Sequence, residues 1–200
     1  LPSGVTIEPY YDRTIFVSKV MTTVRNNLLE GGLLVVAVLF LFLGDLRAGL
    51  IVASAIPLAM LIAFTGMMQA GLSGNLMSLG AIDFGLLVDG SVVMIDNILR
   101  RLADKPVRNR DERLATVLAA GREVLRPMTL AVSIIILVYV PILALTGIEG
   151  KMFRPMAFTV IMALAGSLLL AVTVTPLLSY WFVRTGANRQ ETLVIRGLSG

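Results

Sequence analysis

The chain has 200 residues, of which 56% are hydrophobic and 15% charged, with a net charge of +4 and a mean hydropathy of +0.87. Soluble domains carry about 25% charged residues, so this composition points to a membrane protein. The chain contains no cysteine and no histidine, which excludes disulfides, zinc–thiolate sites, cysteine nucleophiles and histidine-based catalysis.

The opening, LPSGVTIEPYYDRT, has no initiator Met, basic n-region or cleavage pattern. It reads as the exit from a soluble domain, with residues 1–27 as the end of that domain and an entry helix. Crossing a bilayer takes about 20 mostly apolar residues, and five runs qualify. The first covers 28–43 and is extended backward by an amphipathic stretch from Ile15; the others cover 50–70, 76–99, 128–145 and 156–183. Together, 28–183 are expected to form a five-helix transmembrane bundle, an all-α integral membrane fold. Between the third and fourth runs, 104–122 reads as a polar turn followed by a short surface helix. Pro57, Pro141 and Pro176 mark bends, whereas Pro127 and Pro155 stand at expected helix starts. The close, ETLVIRGLSG, has no obvious endpoint, so the chain is expected to be a segment of a longer polypeptide.

Lys and Arg in the connections set orientation. If the spans alternate, Arg47, the densely basic 100–127 connection and the 184–200 tail fall on one side. That side is expected to be cytoplasmic, with the N-terminus opposite. The basic residues cluster between apolar runs without interleaved aromatics, which gives no nucleic-acid signal.

The third run, AIDFGLLVDGSVVMIDN, holds Asp83, Asp89 and Asp96. An ionised Asp at mid-bilayer costs roughly 2.5–3.5 kcal/mol, so three need a reason. At about 100° per residue, Asp89 and Asp96 share nearly one face, and Asp83 lies about 120° round from Asp89. Gly85, Gly90 and Ser91 let a neighbouring helix approach, so this helix is expected inside a bundle with its acids turned away from lipid. Asp96 precedes Arg100 by four residues, and a fixed ion pair near the interface would explain it equally well. Asp83 and Asp89 have no such partner, because no Lys or Arg lies in any span. An acid held away from water without a partner takes up a proton; one that regains a partner when the protein moves forms a relay. Asp83, Asp89 and Asp96 are therefore the candidate proton-relay residues. An intramembrane aspartyl protease needs two carboxyls nearly touching. Acids diverging on one helix do not meet that requirement, so no enzyme is expected.

These residues also carry a resemblance. Asp83-Phe84-Gly85, Val88-Asp89-Gly90, Val93-Met94 and Asn97 match the pattern DFGxxVDGxxVMxEN of the fourth transmembrane helix of resistance-nodulation-division (RND) permeases, heavy-metal efflux branch; Asp96 departs by replacing Glu with a shorter acid. LLEGGLLVVAVLFLFLGDLRAGLIVASAIPLAML is similar to that family's second and third helices, and GREVLRPMTLAVSIIILVYVPILALTGIEGKMFRPMAFTV to its fifth and the start of its sixth. The resemblance implies a proton-driven antiporter of the Gram-negative inner membrane. It implies a homotrimer working with a periplasmic adaptor and an outer-membrane channel, with residues 1–27 ending a periplasmic domain and 184–200 as a cytoplasmic tail. This chain would cover helices two to six of the first repeat, with the Lys counter-ion in a second repeat outside it. No cofactor is implied, and the metal-binding residues would lie outside this chain.

Asp83 resembles the divalent branch, with cobalt, zinc, cadmium or nickel as cargo. Met67, Met68, Met77, Met152 and Met156 would gather toward the outer side, and thioethers suit Cu(I) or Ag(I); gap filling between helices is the simpler role for Met. A non-transporting scaffold segment is the competing expectation from another class.

Overall fold

The computed structural model describes residues 13–72, 78, 80, 82–104 and 109–183. Among these residues five helices follow in chain order: α1 (Arg13–Leu43), α2 (Leu46–Gln69), α3 (Phe84–Asp104), α4 (Arg110–Leu143) and α5 (Gly147–Phe182). The expectations for residues 1–12, the 184–200 tail and Met77 lie outside the described residues.

Local chemistry sets the turns. Gly44, at φ 63°, lets α1 reverse into α2, and Asp45 caps α2 by accepting from the Arg47 N–H at 2.9 Å. Gly71, at φ 64°, ends α2 in a Schellman motif: Leu72 N–H donates to the Met67 carbonyl at 3.0 Å and Gly71 N–H to that of Met68 at 3.1 Å.

Two of the expected helix starts are corrected. Pro127 and Pro155 lie inside α4 and α5. The surface helix expected within 104–122 is the first half of α4, continuous with the apolar half through Pro127. Val117, Ala120 and Met128 are buried on one stripe and join the core that α3 supplies. That shared packing holds the two halves in line despite the lost backbone hydrogen bond.

α5 is the hub, packing on α2, α3 and α4. Its crossing with α2 is reciprocal: Gly66 faces Met162, and Gly166 faces Ile62, where an added Cβ would come within 2.8 Å of the Ile62 side chain. Small residues set into large ones this way let two backbones approach without a hydrophobic driving force. The pairing order, 62 with 166 and 66 with 162, makes α2 and α5 antiparallel. Half of the most apolar window of α5 (50%) and 44% of that of α2 are buried within the chain, against 6% for each of α1 and α4. α1 and α4 therefore turn most of their apolar surface outward.

Among the described residues four helices, α1, α2, α4 and α5, are long and apolar enough to cross a membrane. α3 falls short on composition, because Asp89, Asp96, Arg100, Arg101 and Asp104 all fall within its 21 residues.

Candidate functional site

α3 starts where its sequence permits. Asp83 stands just before it and accepts from the Gly85 N–H at 2.8 Å, and the Asp83 carbonyl accepts from Leu87 N–H at 3.3 Å. This is an N-cap, worth about 1 kcal/mol and favoured by the helix dipole. Of the expected span over 76–99, the described residues show α3 from 84 onward, with 78 and 80 also helical, 82 and 83 not, and 76, 77, 79 and 81 outside the described residues.

From there one face of α3 enters the core. Leu87, Val88, Gly90, Ser91, Met94, Ile95 and Ile98 are buried. A Cβ on Gly90 would sit 3.2 Å from the Met128 sulfur of α4 and 3.4 Å from Ala171 Cβ of α5. Hydrogen bonds fix the rotation of the helix: Ser167 of α5 donates to the Leu87 carbonyl, and Thr175 donates to Ser91 Oγ at 3.3 Å. Pairs 87–167 and 91–175 advance together, so α3 and α5 run parallel. Asp89 lies between the two anchored positions.

The opposite stripe is open. Asp89 is exposed, with Leu86 and Val93 above and below it, and Asp96 is half-buried. Asp83 is exposed as well. Among the described residues the acids are not enclosed. The structure keeps Asp89 and Asp96 on one stripe and gives Asp83 a separate local task at the helix start. Among the described residues no hydrogen bond or ion pair reaches Asp89, and no group of three or more acidic side chains is placed to hold a metal ion.

The far end of α3 is polar and tightly tied. Asn97 is buried and donates to the Ala120 carbonyl at 2.9 Å and to Glu123 Oε2 at 3.2 Å. Arg100 donates to Asn97 Oδ1 at 3.1 Å, and Arg101 pairs with Glu123 at 2.8 Å. Two more arginines close the end of α5. Arg47 donates to the Phe182 carbonyl at 3.3 Å. Arg113 donates to the Ser179 and Val183 carbonyls and lies 5.4 Å from the centre of the Tyr180 ring. Cations at a helix C-terminus are favourable there. Arg47, Arg100, Arg101 and Arg113 therefore share one end of the bundle, as alternating spans require. Sequence reading passed over Asn97, Glu123, Ser167 and Thr175 as functional positions. For Asn97, Ser167 and Thr175 the available signal was an amide and hydroxyls among apolar neighbours, which demand partners when buried; Glu123, exposed in a charged stretch, gave none.

Met67 is buried, and its sulfur accepts from the Thr159 hydroxyl at 2.9 Å; Met68 and Met152 are exposed. Met67 fills space between α2 and α5.

Fold and face together define an all-α multipass membrane protein with an ionisable stripe on one helix. The sequence pattern of the AcrB/AcrD/AcrF family matches residues 1–198. The chain is 54% identical over 181 residues to the cobalt-zinc-cadmium resistance protein CzcA of Cupriavidus metallidurans, covering 88% of this chain and 17% of the relative. It is 44% identical over 200 residues to the nickel and cobalt resistance protein CnrA of the same organism, covering 98% of this chain and 19% of the relative. A crystal structure of a heavy metal efflux pump superposes with a TM-score of 0.77 at 43% identity, over 88% of this chain and 17% of that one. The chain belongs to the AcrB/AcrD/AcrF family, in the heavy-metal branch of the RND permeases, which are transporters and not enzymes.

Proposed function

We propose that this chain is the proton-relay-bearing membrane segment of a permease that exports divalent heavy-metal cations in exchange for protons. The observation that carries the reading is Asp89, an exposed carboxylate in the second turn of a helix whose other face is core, with Asp96 on the same stripe. Lipid does not tolerate that stripe cheaply, so protein must cover it. No Lys or Arg lies in the expected spans of this chain; a basic side chain from a segment beyond it is the fitting cover.

In this reading Asp89 carries the proton. Protonation breaks its ion pair, and release to the other side restores it. Each elementary charge crossing 100 mV yields about 2.3 kcal/mol, enough to bias helices between two packed arrangements. Asp83, at the helix start, serves as the partner acid. Asp96, toward the Asn97–Arg100 network, passes the proton to the cytoplasmic side. The N-terminus is then periplasmic and the C-terminus cytoplasmic in the inner membrane. The working unit is a homotrimer with a periplasmic adaptor and an outer-membrane channel. The metals named in the relatives' own descriptions, cobalt, zinc, cadmium and nickel, support a divalent cargo. The Met67 contact supports gap filling over a thioether path for Cu(I).

The test is Asp89→Asn in the full-length protein, made in cells whose metal resistance depends on it. Resistance to zinc or cobalt should fall to that of cells lacking the pump, with normal expression and trimer assembly. Unchanged resistance would rule the relay out and leave the scaffold role.

A further inference from the structure

A recess of about 580 Å³ opens between the end of α3 and the first half of α4, lined by Arg101, Ala115, Thr116, Ala119, Arg122 and Glu123. Its charges are unequal in status. Arg101 is committed to Glu123 by hydrogen bonds at 2.8 and 2.9 Å. Asn97 also donates to that carboxylate, so Glu123 is well compensated. Arg122 has no hydrogen bond or ion pair among the described residues and is exposed. The recess therefore offers one uncommitted positive charge beside a second guanidinium held rigidly in place. Ala115 and Ala119 leave the space between them unfilled.

Depth and surroundings say what fits. Arg122 lies six residues before Met128, where α4 turns apolar, so about 9 Å further out at 1.5 Å per residue. The polar layers of a bilayer add about 5–7 Å on each side of its core, and an Arg side chain reaches back several ångströms. The guanidinium therefore falls at phosphate level. Leu118 and Leu125, one turn before and one turn after Arg122, are 49% and 36% exposed. Leu125, three residues before Met128 and on the apolar side of Arg122, lies close to the edge of the hydrocarbon core. Arg126, also exposed, adds a second cation one turn on.

We propose that this recess seats the phosphodiester of an anionic phospholipid. Arg122 supplies the balancing charge, Arg101 forms the fixed wall, and Leu125, on the membrane side of Arg122, holds the start of an acyl chain. A phosphodiester carries a single negative charge, which matches the one free guanidinium, and basic pockets at this depth attract anionic headgroups. The site is independent of the proton relay and stands or falls without it.

The experiment uses the full-length protein, purified and reconstituted into nanodiscs of phosphatidylcholine alone or with phosphatidylglycerol. Co-purifying lipid is counted by native mass spectrometry and thermal midpoints are recorded. Wild type should retain phosphatidylglycerol and melt higher in its presence. Arg122→Ala should lower retention about fivefold, the equivalent of one basic contact at the surface, and remove most of the thermal gain. Arg122→Lys should restore part of it. Ala119→Leu, which fills the recess without touching charge, should lower retention to a similar degree. Inorganic phosphate added to the phosphatidylcholine discs should give no gain. Equal retention by wild type and both loss variants overturns the proposal, and so does a gain from inorganic phosphate matching that from phosphatidylglycerol, which would assign the recess to a soluble anion.

Discussion

The packed side of α3 buries Val88, Gly90, Ser91, Met94, Ile95 and Ile98, whereas the opposite stripe leaves Leu86, Asp89 and Val93 open. Apolarity alone does not separate the two, since Leu86 and Val93 are as hydrophobic as their buried neighbours. What differs is the room left at two positions and the pairing of polar atoms. The packed side has Gly90 and Ser91 where α4 and α5 press in, and its polar atoms are answered by Ser167 and Thr175. The open side offers Leu86, Val93 and a carboxylate with nothing among the described residues to receive them. One side is finished by local helices; the other, in the proposed reading, is covered by protein from beyond this segment.

The largest expected effect comes from the open side. Asp89→Asn should abolish metal export while leaving fold and assembly intact, because Asn keeps the shape and removes only the ionisation. Uptake of zinc or cobalt by everted vesicles, followed against an imposed proton gradient, checks this. Next comes the packed side. Gly90→Leu pushes a branched side chain to where even a Cβ meets Met128 and Ala171 at 3.2 and 3.4 Å. It should cost about 1–3 kcal/mol or more through overpacking, seen as a lower melting midpoint and loss of the monodisperse peak. If Gly90→Leu were well folded while its counterpart Val93→Ala unfolded the protein, the assignment of the two faces would be reversed.

Asp83 sharpens the contrast, because it belongs to neither face. Asp83→Ala should destabilise by about 1 kcal/mol through loss of the cap, and Asp83→Asn, which can still accept from Gly85 N–H, by much less. Transport loss in the Asn variant without a change in midpoint would assign the residue's charge to the relay. Equal midpoints for Ala and Asn would remove the capping role. The smallest effect is expected for Arg101→Ala. Its pair with Glu123 is 45% exposed on both sides, and surface ion pairs contribute little. The melting midpoint should stay within error of wild type in moderate salt.

Much of this was legible in the order of residues. Runs of apolar side chains declared the helices, because backbone groups in lipid must be satisfied within the segment. The three aspartates declared themselves by their cost in such a setting. Less legible was where helices begin. The sequence pattern groups Asp83 with the buried acids, whereas its carboxylate accepts from Gly85 N–H, and it puts Pro127 at a helix start, whereas Val117, Ala120 and Met128 share one packed stripe through it. In both cases a local preference had two outcomes, and neighbours chose between them.

The sequence by itself determined that the chain is helical, that it is built for a bilayer, and that Asp89 and Asp96 share a stripe, since hydropathy and helical period are properties of the chain alone. Only the tertiary structure decided which side of α3 is core, that Ser167 and Thr175 fix its rotation, and that Asp89 is left uncovered. Those outcomes depend on side chains distant in sequence meeting across a packed interface, and no periodicity within a single helix specifies its partner.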